Sequence, residues 1–321
     1  MFGYEVLCVG SATVDHFLTI HQRFSSVHPG DKVIVDDLQT YSGGGATNAA
    51  AALSRLGVDA KVLTKLGNDH DAGYVLKDLQ KYHVSNISLH HSQKNTDFAT
   101  IISSAKEKDR IIYVHKGAST DLCSDDFCWR EVRRAKWIYL ASLMGTACGV
   151  EKEIAHDAQE RNIPMLFNPS LYLAKKGKIY LRPFLRAAKV LVLNKEEAQA
   201  VLQEKNNNSA HLATHLHKLG PEIVVITNGS RRLFAYADGK IYSLMPPKVK
   251  IVHTAGAGDA FAAGLLAGII KKYSVEDALR LGQVNASSVI QHIGCKNILL
   301  TEKEAKKWMK KFRIKVNFQR K

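Results

Sequence analysis

The segment with the clearest chemical potential is residues 254–261, Thr-Ala-Gly-Ala-Gly-Asp-Ala-Phe, which leads without a break into an apolar helical stretch. These small residues leave the backbone amides of Gly256, Ala257 and Gly258 free to bind an anion at a helix N-terminus, where the helix dipole also favours negative charge. Asp259 follows immediately, so its carboxylate can take a proton from a hydroxyl that attacks the bound anion. The pattern predicts phosphoryl transfer; the alternative is a tight turn followed by an acidic first-turn residue.

A second glycine cluster, Ser-Gly-Gly-Gly-Ala-Thr-Asn-Ala-Ala-Ala, also leads into a helical stretch. Gly43, Gly44 and Gly45 let the backbone pass close to a ligand, and the amide of Asn48 both donates and accepts hydrogen bonds. Asp15 lies just beyond the C-terminal end of the first predicted strand, where ligands bind in doubly wound sheets. We therefore expect Asp15 and Asn48 to clamp the hydroxyl groups of a polyol.

With both glycine segments in this order, the chain resembles the ribokinase/phosphofructokinase-B family of sugar and nucleoside kinases over roughly residues 4–296. Asn48 and Asp259, which end the two signature segments, are about 210 positions apart. The resemblance implies an ATP-dependent kinase that phosphorylates a hydroxyl of a small sugar or sugar-like substrate, with Mg²⁺ bridging the ATP phosphates. It also implies an α/β fold, the ribokinase-like three-layer sandwich with a mostly parallel central sheet and a small β lid.

Smaller matches fall where the family would place them. Asn194 and Glu197 look like the family's Asn-x-x-Glu motif, in which the glutamate holds Mg²⁺ through water; by itself this pattern is also an ordinary helix capping box. Thr227 and Gly229 resemble the turn that lines the nucleotide, or else a plain turn that ends a strand. Asn285 falls near the family's adenine pocket, or is a simple polar position on a helix.

The chain also departs from the family pattern. Where the family carries an acid before the second signature, this sequence has His253. Local hydrogen bonding or ion binding is therefore expected to differ there, although the resemblance allows a monovalent cation near this loop. Ribokinase itself uses an acid near the end of a core strand to hold the sugar, whereas this chain has Ala141 and Ser142, which weakens a strict ribose assignment.

The sequence leaves the acceptor open. A nucleoside (adenosine-type) kinase on the same scaffold could stack a base on Phe17, Phe98 or Ile112, although these residues could equally pack the lid. A phosphosugar kinase would need a basic clamp, for which Arg110 and Lys116 are candidates. A catalytically weak metabolite-binding protein is a third possibility, which the intact signature residues argue against.

The elements that must position these residues follow from the hydrophobic pattern. Short apolar runs of strand length alternate with amphipathic helical stretches, so both faces of the sheet are covered and the strands run mostly parallel. Two stretches with β-branched and aromatic residues lack a following crossover helix, and we predict that they form a discontinuous β lid, residues 14–40 and 96–116. The α/β kinase core then comprises residues 1–13, 41–95 and 117–301. An exposed lid sheet has edges to protect, which suggests a homodimer through the lid.

The amino-acid composition limits the class of protein and the cellular compartment. The 321 residues are 45% hydrophobic and 23% charged, which excludes a disordered or fibrous chain. Five cysteines with no Cys-x-x-Cys pair argue for a reducing compartment, and the longest apolar run is too short to span a membrane, so a cytoplasmic protein with no membrane partner is expected. The net charge is +15, from 45 Lys and Arg against 30 Asp and Glu.

Much of this charge lies in a basic C-terminal tail, residues 302–321, which we expect to dock through Trp308 and Phe312. A solvated basic helix accounts for the tail better than a nucleic-acid site does. His211 and His215 stand four positions apart on a predicted helix, a spacing that suits a metal pair. The sequence shows no third ligand beside them, so we interpret this segment as a solvated helix.

Overall fold

The computed structural model describes residues 4–107 and 109–320. The first three residues of the predicted core, residue 108 of the predicted lid and residue 321 of the predicted tail lie outside the described residues. The described residues form strands and helices in the alternating order that the apolar runs predicted.

The strands are β1 (Val6–Val9), β2 (Thr13–Ile20), β3 (Val35–Gly43), β4 (Ala60–Leu63), β5 (Ser85–Asn86), β6 (Asp97–Ser104), β7 (Asp109–His115), β8 (Trp137–Leu140), β9 (Met165–Phe167), β10 (Ala188–Asn194), β11 (Ile223–Thr227), β12 (Leu233–Ala237), β13 (Lys240–Leu244) and β14 (Val316–Arg320). The α-helices are α1 (Gly45–Arg55), α2 (His70–Lys81), α3 (Trp129–Val132), α4 (Ala147–Glu160), α5 (Leu171–Ala174), α6 (Gly177–Ala187), α7 (Lys195–Leu202), α8 (Ser209–His217), α9 (Ala257–Ile270), α10 (Val275–Val289) and α11 (Glu302–Phe312).

Ten strands form one large sheet in the order β14-β13-β12-β11-β10-β9-β8-β1-β4-β5. The strands from β11 through β10, β9, β8, β1 and β4 to β5 pair in parallel, whereas β12, β13 and β14 add as an antiparallel meander. Parallel strands place all their carboxyl ends at one edge of the sheet, and the loops after β1, β8, β9, β10 and β11 therefore open on the same side.

Both faces of this sheet are buried, as β1 illustrates. All four of its residues are fully buried, and they alternate between two separate apolar cores. Val6 and Cys8 pack with residues of α1, α9 and α10, whereas Leu7 and Val9 pack with residues of α4, α6 and α7. Helices therefore cover both sides of the sheet, which confirms the predicted three-layer α/β sandwich.

A second, smaller sheet of four strands, called here the small sheet, has the order β3-β2-β6-β7. Strands β2 and β3 come from the first predicted lid segment and β6 and β7 from the second, and the two segments join through the parallel pair β2–β6. The first segment reaches further than predicted, because β2 begins at Thr13 and β3 ends at Gly43. The last residues of β3 thus run directly into the first glycine cluster.

The C-terminal residues are part of the large sheet rather than a tail alone. Helix α11 packs Trp308, Met309 and Phe312 against the core, as the sequence predicted for Trp308 and Phe312. Strand β14, which the sequence did not predict, then pairs antiparallel with β13 and forms one edge of the large sheet. Among the helices of residues 4–107 and 109–320, none combines the length and hydropathy needed to cross a membrane.

Candidate active site

Two adjoining cavities open at the carboxyl ends of the parallel strands. The smaller cavity has a volume of about 310 Å³, and most of the residues that line it are polar or charged, among them Asn168, Lys116 and Asp259. The larger cavity, of about 760 Å³, is lined mostly by apolar groups, including Pro246 and Phe261. Asn194, Thr227 and Gly258 line both cavities, so the two spaces meet at these residues.

The second glycine loop (residues 256–258) begins α9 at this junction. Gly256 has φ 77°, a left-handed conformation that favours glycine, and a Cβ there would lie 2.6 Å from the carbonyl oxygen of Cys295. A Cβ at Gly258 would meet nothing within 4 Å. Gly256 is therefore required by the turn before α9. Ala257 and Gly258 border the larger cavity, and the N-terminus of this 14-residue helix faces that cavity.

Asp259 joins the two signature segments directly. The side-chain amide of Asn48 donates a hydrogen bond to Asp259 Oδ2 at 2.8 Å, although the two residues are 211 positions apart. Burial raises the pKa of Asp259 to about 6, while the Asn48 hydrogen bond and the charge of Lys296 oppose this shift. Asp259 is consequently ionised at neutral pH yet basic enough to accept a proton.

The first glycine loop (residues 43–45) is packed against protein rather than open. A Cβ at Gly43 would overlap the carboxylate of Asp15, and one at Gly44 would overlap the backbone of Ser11. Gly45 alone among the three lines a cavity. Asp15 accepts a hydrogen bond from Thr13 Oγ1 at 3.1 Å, and burial raises its pKa. The predicted residues are thus brought together, but Gly43 and Gly44 act by making room for Asp15 and for the chain after β1.

Lys296 is a buried cation beneath this loop that sequence reasoning missed. Its ammonium group donates to Ser42 Oγ at 2.8 Å and to Thr47 Oγ1 at 3.3 Å, and it forms a 2.7 Å ion pair with Asp78. Its charge also opposes the raised pKa values of Asp15 and Asp259. No local pattern marks this lysine, because its partners come from β3, α1 and α2.

Asn194 and Glu197 form a capping box and line the smaller cavity at the same time. The backbone amide of Asn194 donates to Glu197 Oε2 at 2.7 Å, and the amide of Glu197 donates to Asn194 Oδ1 at 2.9 Å. Burial raises the pKa of Glu197 to about 7, with a further contribution from Asp259. Two mutually repelling carboxylates at one polar cavity fit a hard divalent cation such as Mg²⁺, whose preferred ligands are oxygens.

Comparison with known proteins identifies the family. A model of the pfkB family of carbohydrate kinases matches residues 4–302. This chain belongs to the pfkB family. It is an ATP-dependent kinase of the group that acts on sugars or nucleosides, which confirms the resemblance seen in the sequence.

Individual relatives are distant but cover nearly the whole chain. A nucleoside kinase of Methanocaldococcus jannaschii is 23% identical over 97% of this chain and 98% of its own length. A ribokinase of Staphylococcus aureus is 23% identical over 90% of this chain and 94% of its own length. The solved structure of Arabidopsis thaliana ribokinase complexed with ribose and ATP has a TM-score of 0.80 at 21% identity, covering 97% of this chain and 99% of that one. These likenesses establish a shared fold.

The nucleotide-side predictions for this pfkB kinase divide into two groups. Thr227 lines both cavities and Gly229 lines the larger one. Asn285 lines neither cavity: this residue is fully buried, donates to Ala260 O at 2.9 Å and accepts from Leu300 N at 3.3 Å. Its side chain ties α10 to α9, and the next two residues of α10, Ala286 and Ser287, line the larger cavity instead.

His253, at the position where the family carries an acid, faces the small sheet. Its Nδ1 accepts a hydrogen bond from Ala255 N at 3.2 Å, and its ring packs edge-on against Phe17 with centroids 4.9 Å apart. Burial and the nearby Arg110 lower its pKa, so the imidazole is neutral at pH 7. A neutral imidazole gives a hard monovalent cation no anionic oxygen, and the residue fits such a site poorly.

The lid residues considered for the acceptor mostly pack against other protein groups. Phe17 contacts Tyr41 and Phe98 stacks on His115, and neither phenylalanine lines either of the two cavities described above, nor does Ile112. Arg110 lies on β7, whose residues are exposed. Lys116 is different, because it lines the smaller cavity while its ammonium group lies 3.3 Å from the buried Asp97 carboxylate.

Proposed function

We propose that this pfkB kinase transfers the γ-phosphoryl group of ATP to a hydroxyl group of a small sugar or sugar-like acceptor. The acceptor binds in the smaller, polar cavity, and the adenine end of ATP occupies the larger, apolar one. The observation that carries the proposal is that the two cavities meet at Gly258, beside the Asp259 carboxylate and at the N-terminus of α9.

Each part of the second glycine loop has a role in this reaction. The acceptor oxygen attacks the γ-phosphorus, the bond from that phosphorus to the β–γ bridging oxygen breaks, and ADP leaves. Asp259 takes the hydroxyl proton, for which general-base catalysis contributes about 10²–10⁴ in rate. The amides of Gly256, Ala257 and Gly258 stabilise the charge that develops on the phosphoryl oxygens. Asn48 holds the Asp259 carboxylate in place through its 2.8 Å hydrogen bond.

Mg²⁺ fits the oxygen-rich wall formed by Asn194 and Glu197. Glu197 would hold the ion through water, and the bound ion would neutralise negative charge on the ATP phosphates. The raised pKa of Glu197, about 7, is consistent with a carboxylate placed to face a cation.

A sugar acceptor is favoured over a nucleoside by the character of the smaller cavity. Its lining combines serine, asparagine, lysine and carboxylate groups, which match the hydroxyls of a polyol. The lid aromatics that could stack on a base contact other protein groups instead: Phe17 contacts Tyr41 and His253, and Phe98 stacks on His115. Nucleoside phosphorylation is the second candidate, favoured by the likeness to the archaeal nucleoside kinase along nearly the entire chain.

The small sheet acts in this proposal as a lid that excludes water during transfer. Its strand β7 is exposed along its whole length and carries the exposed apolar side chains of Ile112, Tyr113 and Val114, which suits pairing with a second copy of the chain. A cytoplasmic location is part of the proposal, supported by five cysteines that are all free.

An acceptor screen tests the substrate class. ADP release is measured with ATP and Mg²⁺ against ribose, fructose, fructose 6-phosphate, adenosine and other nucleosides. We expect turnover with a sugar. Turnover with nucleosides alone would replace the sugar by the second candidate, and no turnover with any acceptor would overturn the proposal.

Asp259→Asn tests the base. We expect a loss of about 10²–10⁴ in kcat with ATP binding retained. Burial raises the pKa of Asp259, so asparagine removes a group that is costly to ionise at neutral pH, and the variant should be at least as stable as the parent at pH 7. Asp277→Asn is the matched control, because Asp277 is the third residue of α10 just as Asp259 is the third residue of α9. Equal activity in the two variants would remove Asp259 from the mechanism.

A further inference from the structure

A cluster of metal-ligating side chains lies at the opposite end of α7 from the candidate active site. Helix α7 ends at Leu202, Gln203 adopts a left-handed conformation with φ 58°, and Glu204 follows. Helix α8 begins after a short loop and carries His211 and His215 on one face. The reversal of the chain at Gln203 brings Glu204 back to these two histidines, which supplies the third ligand that the linear sequence did not reveal.

The three side chains converge in the way that a metal ion requires. Each offers one ligand atom, and these atoms all lie within 4.8 Å of one another. Glu204 Oε2 is 3.7 Å from His211 Nε2, and Glu204 Oε1 is 3.4 Å from His215 Nδ1. Ligand atoms at about 2.0–2.1 Å from a tetrahedral zinc ion are roughly 3.4 Å apart, so a small side-chain adjustment completes the geometry.

We propose that Glu204, His211 and His215 bind one divalent transition-metal ion, zinc being the ion that the ligand set suits best. Two imidazoles and one carboxylate with a fourth position left to water form a familiar zinc environment, whereas Mg²⁺ and Ca²⁺ prefer oxygen ligands alone. The side chains keep between 33% and 39% of their surface exposed, so an ion can enter from solvent.

The site is separate from the phosphoryl-transfer site. Asn194 caps the start of α7, and a helix of eight residues is about 12 Å long, so the length of α7 separates the three ligands from the end that lines the cavities. Its role is structural: it links the end of α7 to α8 across the loop of residues 203–208. Since Asn194 and Glu197 stand on the first turn of α7, the ion stabilises the helix that presents them.

Calorimetric titration of the untagged full-length protein with Zn²⁺, after treatment with a chelator and in the absence of ATP, tests the site. We expect one equivalent to bind and to raise the midpoint of thermal unfolding, because an ion that binds only the folded state stabilises it by mass action. Even partners outside the coordination shell change metal affinity by about 10–100-fold, so His211→Ala and His215→Ala should each weaken binding by at least about 100-fold. His90→Ala, which removes an exposed histidine elsewhere, should leave the affinity unchanged.

Glu204→Gln separates the three-ligand site from a simple histidine pair. It keeps the shape of the side chain and removes the charge, so we expect affinity to fall by at least about 10-fold with the fold retained, as judged by circular dichroism. Unchanged affinity in Glu204→Gln would show a two-histidine surface chelate and overturn the proposed site. Zinc binding that survives both histidine substitutions, or no binding by the parent protein, would overturn it as well.

Discussion

The two glycine loops look alike in the sequence but differ in what surrounds them. In the first loop, a Cβ at Gly43 or Gly44 would overlap Asp15 or Ser11, so these glycines exist because protein lies against them. In the second loop, only Gly256 is enclosed in this way, by Cys295, whereas Gly258 faces open space. Two glycine clusters of similar appearance thus allow close packing at the start of α1 and leave open space at the start of α9.

This difference separates residues that build the site from residues that border the cavities, where we propose that the ligands bind. The first loop positions Asn48 and leaves room for Asp15, while the second borders the cavities and carries Asp259. Substitutions in the first loop are therefore expected to affect stability, and substitutions at the open position of the second loop to affect turnover.

The largest expected effect is on stability, in Gly44→Ala. Gly44 has φ 98°, and a Cβ there would overlap the backbone of Ser11, so both strain and overlap oppose alanine. We expect the free energy of unfolding to fall by about 2–6 kcal/mol, measured by urea denaturation. Gly30→Ala is the control: Gly30 has φ 96° but nothing within 4 Å, so it should show the strain alone. If Gly44→Ala and Gly30→Ala lost the same free energy of unfolding, close packing against the first loop would not contribute to the effect of Gly44→Ala.

Gly258→Ala should show the reverse pattern. Its Cβ meets no protein atom, so the variant should fold with a urea midpoint at least as high as that of the parent. The methyl group would fill open space at the helix N-terminus, where we propose that the phosphoryl group binds. Since removing one amide donor to that group costs about 10²–10³ in rate, we expect kcat/KM to fall by at least about 10². Gly73→Ala, at another open helical position, should leave kcat/KM as it is. Parent-like turnover in Gly258→Ala would break the comparison of the two loops.

The pH dependence of kcat/KM tests the comparison of the two glycine loops through a smaller effect than the glycine substitutions. Asp259, with a pKa of about 6, and Glu197, with a pKa of about 7, must both be ionised, so activity should decline as pH falls below about 7 and drop at least tenfold per unit below about 6. Glu197→Gln should leave a single ionisation near pH 6 in an otherwise slower enzyme. Asp15→Asn, at the first loop, should keep both ionisations and move the lower one down, because the Asp15 charge helps to raise the pKa of Asp259. A profile that stays flat down to pH 5 would contradict these assignments.

The sequence was sufficient for the parts of the molecule that are local. Contiguous residues with strong backbone preferences encode the starts of α1 and α9, the capping box at Asn194 and the parallel core strands. The contacts of Asn285 could not be predicted because they depend on the phase of α10 against α9: Asn285 bonds within the core although Ala286, the next residue, lines the larger cavity. Lys296 and Glu204 were missed because their partners come from other segments and meet them only in the folded chain.

Strand β14 shows that a whole secondary-structure element can also depend on partners distant in the sequence. Its apolar and polar residues alternate as in a strand, yet the preceding basic helix suggested a solvated tail. Whether such a segment becomes a strand depends on an available sheet edge, which β13 supplies.

The hydrogen bond between Asn48 and Asp259 has a consequence for folding. The two residues are 211 positions apart, so the loop that this contact closes includes most of the chain, and contacts of such long range form slowly. Asp259, the proposed general base, acquires its partner only once the sheet and the helices on one of its faces are assembled. Incompletely folded chains therefore lack a working site and do not consume ATP, and the return of turnover during refolding reports the completion of the native topology.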